Sequence, residues 1–171
     1  IVASGPNTAN PHAVPSDRVI EKGDFVLMDY GAGYCDYRSD MTRTVVMGEP
    51  TQEQLDLYAL VRRTHEECVA AIHPGVEGND IFKLSKKIIG DAGYGDYYNH
   101  GLGHGVGIDI HELPNFNRSK NTIEIGSVVT MEPGVYLPGV SGVRLEDYGV
   151  VTENGYEPFT KTPHDLHVID C

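Results

Sequence analysis

The 171-residue chain has no tryptophan, three cysteines, and only 13 Lys and Arg against 25 Asp and Glu. Each shortage excludes something. Cys35, Cys68 and Cys171 are odd in number and lack a Cys-x-x-Cys spacing, so neither a disulfide framework nor a thiolate zinc site is indicated, and a reducing, cytoplasmic setting is expected. A net charge of −12 argues against a nucleic-acid partner, which needs a basic face. Apolar runs such as Phe25 to Met28 fall far short of the ~18 residues that span a bilayer, so no membrane partner is expected, and the N-terminus carries no signal-peptide pattern. What remains is an ordinary globular composition, 40% hydrophobic and 22% charged, enough for one sizeable core.

The two ends of the chain echo each other. The segment Ile20-Glu-Lys-Gly23-Asp-Phe-Val-Leu-Met28-Asp29-Tyr-Gly31 is answered, 103 residues later, by Ile123-Glu-Ile-Gly126-Ser-Val-Val-Thr-Met131-Glu132-Pro-Gly134. Upstream, His12 before Pro15 is answered by His111 before Pro114; downstream, Asp40 is answered by Glu146. Between the repeats, residues 52 to 90 read as helical. Thr51 and Gln54 make a capping box, and apolar residues recur at helical spacing from Leu57 to Ile72, until His73-Pro74-Gly75 stops them. Asn79 or Asp80 opens a second helix that ends at Gly90. A matching helical pair is expected before the first repeat, and the chain starts at Ile1 without one. The expectation is a fragment.

The chemistry falls on the repeats. Asp29 closes one apolar strand and Asp40 opens the next. If these strands form an antiparallel hairpin with the acids opposite, the turn centres between Tyr34 and Cys35. The same construction for Glu132 and Glu146 centres on Gly139, in Pro138-Gly139-Val140. Four carboxylates at one pseudo-twofold centre repel strongly unless cations compensate, and two divalent cations balance four charges. Carboxylate-rich ligation suits Mn(II) and similar ions, with an imidazole from the glycine-flanked His104. Taken singly, each residue has a plainer reading: a turn-capping Asp, a strand-end Glu, a surface ion pair of Glu146 with Arg144, a structural loop histidine at His12, His100 or His111. His65, His73, His164 and His167 keep that plainer reading, and Glu66-Glu67 reads as a solvated helix face. The arrangement predicts an α+β fold: a curved, mostly antiparallel sheet with helices on one side and internal pseudo-twofold symmetry.

The set Asp29, Asp40, His104, Glu132 and Glu146, in this order and context, resembles the pita-bread metallopeptidases: methionine aminopeptidase, aminopeptidase P and prolidase. The resemblance covers residues 1 to 160. Within it, His100-Gly-Leu-Gly-His104 and Gly142-Val-Arg144-Leu-Glu146-Asp147 are similar to the aminopeptidase P and prolidase branch, and the tail around Phe159 to Ile169 to bacterial Xaa-Pro dipeptidases. The resemblance implies a pita-bread catalytic domain over residues 1–171, short of its first helices and of an N-terminal domain, in a full-length protein that forms a homodimer.

It implies two divalent metal ions, Mn(II) first, with Co(II), Zn(II) or Fe(II) as alternatives. Asp29 would be bidentate to one, Asp40 and Glu146 would bridge, and His104 and Glu132 would complete the other. The implied reaction is hydrolysis of the Xaa-Pro imide bond of a short proline-containing peptide by a metal-bridging hydroxide. Glu132, His111 and His100 carry the implied catalytic roles, with Glu132 shuttling the proton. His12, His100, His111 and Arg144 would meet the substrate, with Arg144 serving either a ligand carboxylate or the substrate's C-terminus. Xaa-Pro dipeptidase is the first expectation and Xaa-Pro aminopeptidase the second. A non-catalytic binding module of the same fold would have lost metal ligands, and five of five are kept here; a dinuclear hydrolase of another bond, such as a phosphoester, is opposed by the family-specific His and Arg positions.

Overall fold

In the computed structural model, which describes residues 1–170 and leaves Cys171 outside, the first repeat is a hairpin built on an unusual turn. Strand β1 (Val2–Ser4) pairs antiparallel with β2 (Phe25–Tyr30), the strand that carries Asp29. The ribbon β3 (Gly33–Tyr34) and β4 (Tyr37–Arg38) forms the tip, and β5 (Met41–Met47) returns beside β2. Cys35 and Asp36, with φ of 47° and 68°, are the two left-handed residues of a primed hairpin turn. The turn therefore centres between Cys35 and Asp36, one residue beyond the expected place, and Thr42, not Asp40, stands opposite Asp29. Asp40 lies two residues from Thr42, so the alternation of a strand returns it toward the same face.

Helix α1 (Gln52–Ala70) starts at the expected capping box: Thr51 Oγ1 accepts from the Gln54 backbone N–H and Gln54 answers the Thr51 N–H. It ends two residues before Ile72. Helix α2 (Gly78–Asp91) opens earlier than Asn79, with Glu77 at its N-cap position; the Glu77 side chain accepts from the Thr122 hydroxyl and makes no cap hydrogen bond.

The second repeat is larger. Strands β6 (Gly103–Gly105), β7 (Glu112–Phe116), β8 (Val128–Met131), β9 (Gly134–Leu137), β10 (Ser141–Arg144), β11 (Asp147–Thr152) and β12 (Gly155–Pro158) form a five-stranded sheet, β12-β11-β8-β6-β7, and the hairpin β9-β10. One register runs through both: Arg144 faces Gly134 and Asp147 faces Met131, so Glu146 falls opposite Glu132 across a turn centred on Gly139, as expected. Finally β13 (His167–Ile169) adds to β5 in parallel, so the first repeat's sheet reads β1-β2-β5-β13.

Equivalent hydrogen bonds relate the repeats. Gly23 N–H donates to Met47 O and Gly126 N–H to Val151 O, at 2.7 and 2.8 Å, and Met47 N–H donates to Asp24 O as Val151 N–H does to Ser127 O, both at 2.9 Å. Gly23 and Gly126 both hold a φ near +90°, which only glycine adopts without strain. This spacing makes Thr42, not Asp40, the counterpart of Glu146, correcting the equivalence drawn from residue type alone. Thr42 and Glu146 are themselves joined by an antiparallel bridge, and it is here that the two repeats meet.

The core lies between the sheets and the helices. Leu57, Val61 and Cys68 of α1 and Ile81 and Ile89 of α2 pack with Val129, Met131, Val135, Val143 and Val151 of the second repeat. Among the described residues no helix is long and apolar enough to cross a membrane, and Cys35 and Cys68 are free thiols.

The close passage of β6 over β8 yields a prediction. A Cβ at Gly103 would sit 2.2 Å from Thr130 O, a backbone atom that cannot step aside. Gly103→Ala should cost about 1–3 kcal/mol, read as a lower urea midpoint. An unchanged midpoint would show that the two strands separate freely.

Candidate metal centre

One cavity of about 890 Å³ collects all nine residues singled out in the sequence: Asp29, Asp40, His104, Glu132 and Glu146, with His12, His100, His111 and Arg144. They come from both repeats. Asp29 ends β2, Asp40 precedes β5, His104 is the middle residue of β6, Glu132 follows β8, and Glu146 lies between β10 and β11.

The orientation of His104 decides what this cavity can hold. Its backbone N–H donates to Thr130 Oγ1 at 3.0 Å, and its ring Nδ1–H donates to Gly105 O at 3.0 Å. That fixes the tautomer and turns the lone pair of Nε2 toward Glu132 Oε1 at 3.4 Å and Asp40 Oδ2 at 3.7 Å. Ligand atoms of Asp40, His104 and Glu146 all lie within 4.8 Å of one another. Lone pairs facing lone pairs are repulsive until a cation stands between them, so the donor set fits divalent metal.

Protonation tells the same story. Burial, then the charge of Asp29, pushes Asp40 up to about 6. Burial, together with the charges of Asp40 and Asp29 and against the pull of Arg144, pushes Glu132 up to about 7. Glu146, buried and beside Glu132 and Asp40, is displaced well above the usual carboxylate range. His104 is lowered by burial, which keeps its ring neutral and able to ligate.

Arg144 is buried, and four hydrogen bonds engage its guanidinium. Nη2 pairs with Asp29, Nη1 donates to Tyr136 OH at 3.0 Å and to Pro11 O at 3.3 Å, and Nε donates to Thr42 Oγ1 at 3.0 Å. Of the two contacts left open in the sequence, the geometry shows the one with the Asp29 carboxylate. His100 is similarly occupied: Nδ1–H donates to Gly101 O at 2.6 Å and Nε2 accepts from Tyr136 OH at 3.0 Å. Burial lowers its pKa to about 4, so the ring is neutral. His12 and His111 are exposed at the cavity, and the His111 ring meets that of His104 edge to face at 4.3 Å.

Sequence reasoning missed three residues. Thr42 donates its hydroxyl to Glu146 Oε2 at 2.6 Å while accepting from Arg144, Tyr136 links Arg144 to His100, and Thr130 holds the His104 backbone. Only Thr42 left a trace in the sequence, as the counterpart of Glu146, and a neutral hydroxyl drew no notice there.

The model for metallopeptidase family M24 matches residues 1–153, and the chain belongs to that family. It is 45% identical over 167 residues to the Xaa-Pro dipeptidase of Pyrococcus furiosus, covering 97% of this chain and 48% of that protein. The prolidase of Thermococcus sibiricus superposes with a TM-score of 0.96 at 42% identity, over 99% of this chain and 46% of that one. The X-Pro aminopeptidase of Thermotoga maritima gives 0.96 at 37% identity, over 99% and 48%. The architecture is the α+β pita-bread fold shared with these structures. The chain spans about half the length of the curated relatives it matches.

Two predictions follow from the site. Asp40 and Glu132 hold protons in the folded chain that the unfolded chain, near 3.8 and 4.5, has already released. Stability of the metal-free protein is therefore lost as pH rises from about 4 to about 7. Its thermal midpoint should be lower at pH 7.5 than at pH 5, and saturating Mn(II) should reverse that order; a metal-free midpoint that rises with pH would contradict the assignment. Thr42→Val, which removes the hydroxyl that Glu146 Oε2 accepts from and that Arg144 Nε donates to, should weaken metal binding about 10–100-fold by calorimetry. Unchanged affinity would make the hydroxyl incidental.

Proposed function

We propose that this chain is the catalytic part of a dinuclear Xaa-Pro dipeptidase. The observation that carries the proposal is the His104 Nε2 lone pair set 3.4 Å from Glu132 Oε1 and 3.7 Å from Asp40 Oδ2, in a cavity wide enough for a dipeptide. When bound, a pair of divalent cations supplies an activated water and polarises the scissile carbonyl. Mn(II) matches the carboxylate-rich set best, with Co(II), Zn(II) or Fe(II) as alternatives.

The protein's own groups do the rest. Asp29, Asp40, His104, Glu132 and Glu146 hold the metals, with Arg144 fixing Asp29 and Thr42 fixing Glu146. Glu132, at the cavity beside His104, takes a proton from the attacking water and passes it to the leaving proline nitrogen. That nitrogen carries no N–H in the substrate, so it must gain its proton during cleavage. His111 and His12, exposed at the cavity, contact the substrate carbonyl and its flanks. His100, tied through Tyr136 to Arg144, positions this wall. A homodimeric whole protein in the cytoplasm, acting on short proline-containing peptides, belongs to the same proposal.

The likeness to the Thermotoga maritima X-Pro aminopeptidase supports a second reading, in which longer peptides are cut after the first residue. The test is a paired assay of the Mn(II)-loaded full-length protein on an Xaa-Pro dipeptide and an Xaa-Pro-Xaa tripeptide. The proposal expects the dipeptide to be preferred, and Glu132→Gln to lower kcat at least about 100-fold with fold retained. Preference for the tripeptide would select the aminopeptidase, and no cleavage of either would overturn both.

A further inference from the structure

A second group of ligating side chains lies away from the cavity. His65 on α1, Asp147 at the start of β11 and His164 in the segment before β13 bring three ligand atoms within 4.8 Å of one another, and none of the three lines the cavity. Asp147 is adjacent to Glu146, but strand alternation sends the two side chains to opposite faces.

The arrangement is unfinished as a hydrogen-bonded cluster. Asp147 Oδ1 accepts from Arg43 Nη2 at 2.7 Å, and Oδ2 accepts from His164 Nε2 at 2.6 Å. His65 is 3% exposed, and its Nε2 has no hydrogen-bond partner. Nε2 stands 3.5 Å from Asp147 Oδ2, too long for a good hydrogen bond and close to the separation of two ligands on one tetrahedral ion. A buried ring nitrogen without a partner is costly, and native structures rarely leave one.

We propose that His65 Nε2, His164 Nε2 and Asp147 Oδ2 bind one transition-metal ion of the Zn(II) class, with solvent completing its coordination. Two imidazoles and one carboxylate form a softer set than the carboxylate-rich cavity and select a different ion. Arg43 is the outer partner of the carboxylate ligand, holding Oδ1 while Oδ2 ligates. His164 has a side chain 27% exposed on an irregular segment, so it can draw back from Asp147 to admit the ion. The metal would tie α1 to β11 and to the segment leading to β13, both distant from α1 in the chain, at the junction where the repeats meet.

The test is metal stoichiometry by native mass spectrometry on the full chain saturated with Zn(II), against His164→Ala and His164→Gln. The glutamine keeps a neutral donor for Asp147. Both variants should retain the fold by circular dichroism, bind one ion fewer than the unsubstituted chain, and lose that ion's affinity by at least about 100-fold. With Co(II), the visible band of a histidine-ligated four-coordinate ion should disappear in the same variants. Equal stoichiometry in the unsubstituted chain and in His164→Gln would overturn the site and leave a hydrogen-bonded cluster. Because the reading is a difference, the cavity's own occupancy does not affect it.

Discussion

Like-charge repulsion at the meeting of two repeats governs this molecule. Four carboxylates and an imidazole lone pair point into one cavity, and without cations the repulsion and burial push Asp40, Glu132 and Glu146 toward their protonated forms. Burial makes the conflict severe, because low dielectric raises the cost of each charge together with the repulsion between charges. The same burial makes a divalent cation valuable there. The structural devices around the cavity serve to hold these groups in place against their tendency to separate.

Those devices belong to the backbone as much as to side chains. The bridge between Thr42 and Glu146 fixes the two hairpins against each other, and Arg43 reinforces it by donating to Thr42 O and Glu146 O. Arg144 crosses the same junction to reach Asp29, Thr42 and Tyr136. A single positive charge so placed lowers the cost of the acidic cluster without neutralising it, which leaves the remaining charge for metal. His104 enters from a strand held close to β8, where glycine at position 103 permits the approach.

Much of this was readable from residue order. The repeat, the two helices with the Thr51 capping box, the turn at Gly139 and the convergence of the nine site residues on one cavity all follow from periodicity, turn chemistry and the family resemblance. The register of the first hairpin was not readable, because Cys35 is not a residue that announces a primed turn, and matching acid to acid paired Asp40 with Glu146 where the backbone pairs Thr42 with it. The link between Arg144 and His100 was hidden as well, since it depends on the Tyr136 hydroxyl reached through three-dimensional packing. His65 and His164 carried no visible signal, being separated by about half the chain and joined only by Asp147.

The account stands on protons being held where cations belong. Calorimetric titration of the metal-free protein with Mn(II) at pH 6.5, in two buffers of different ionisation enthalpy, counts the protons displaced on binding. The account predicts a buffer-dependent heat corresponding to about one proton or more released per chain as the carboxylates become ligands. Tight binding with a heat independent of buffer would mean that the acids were already ionised, and the central claim would fail.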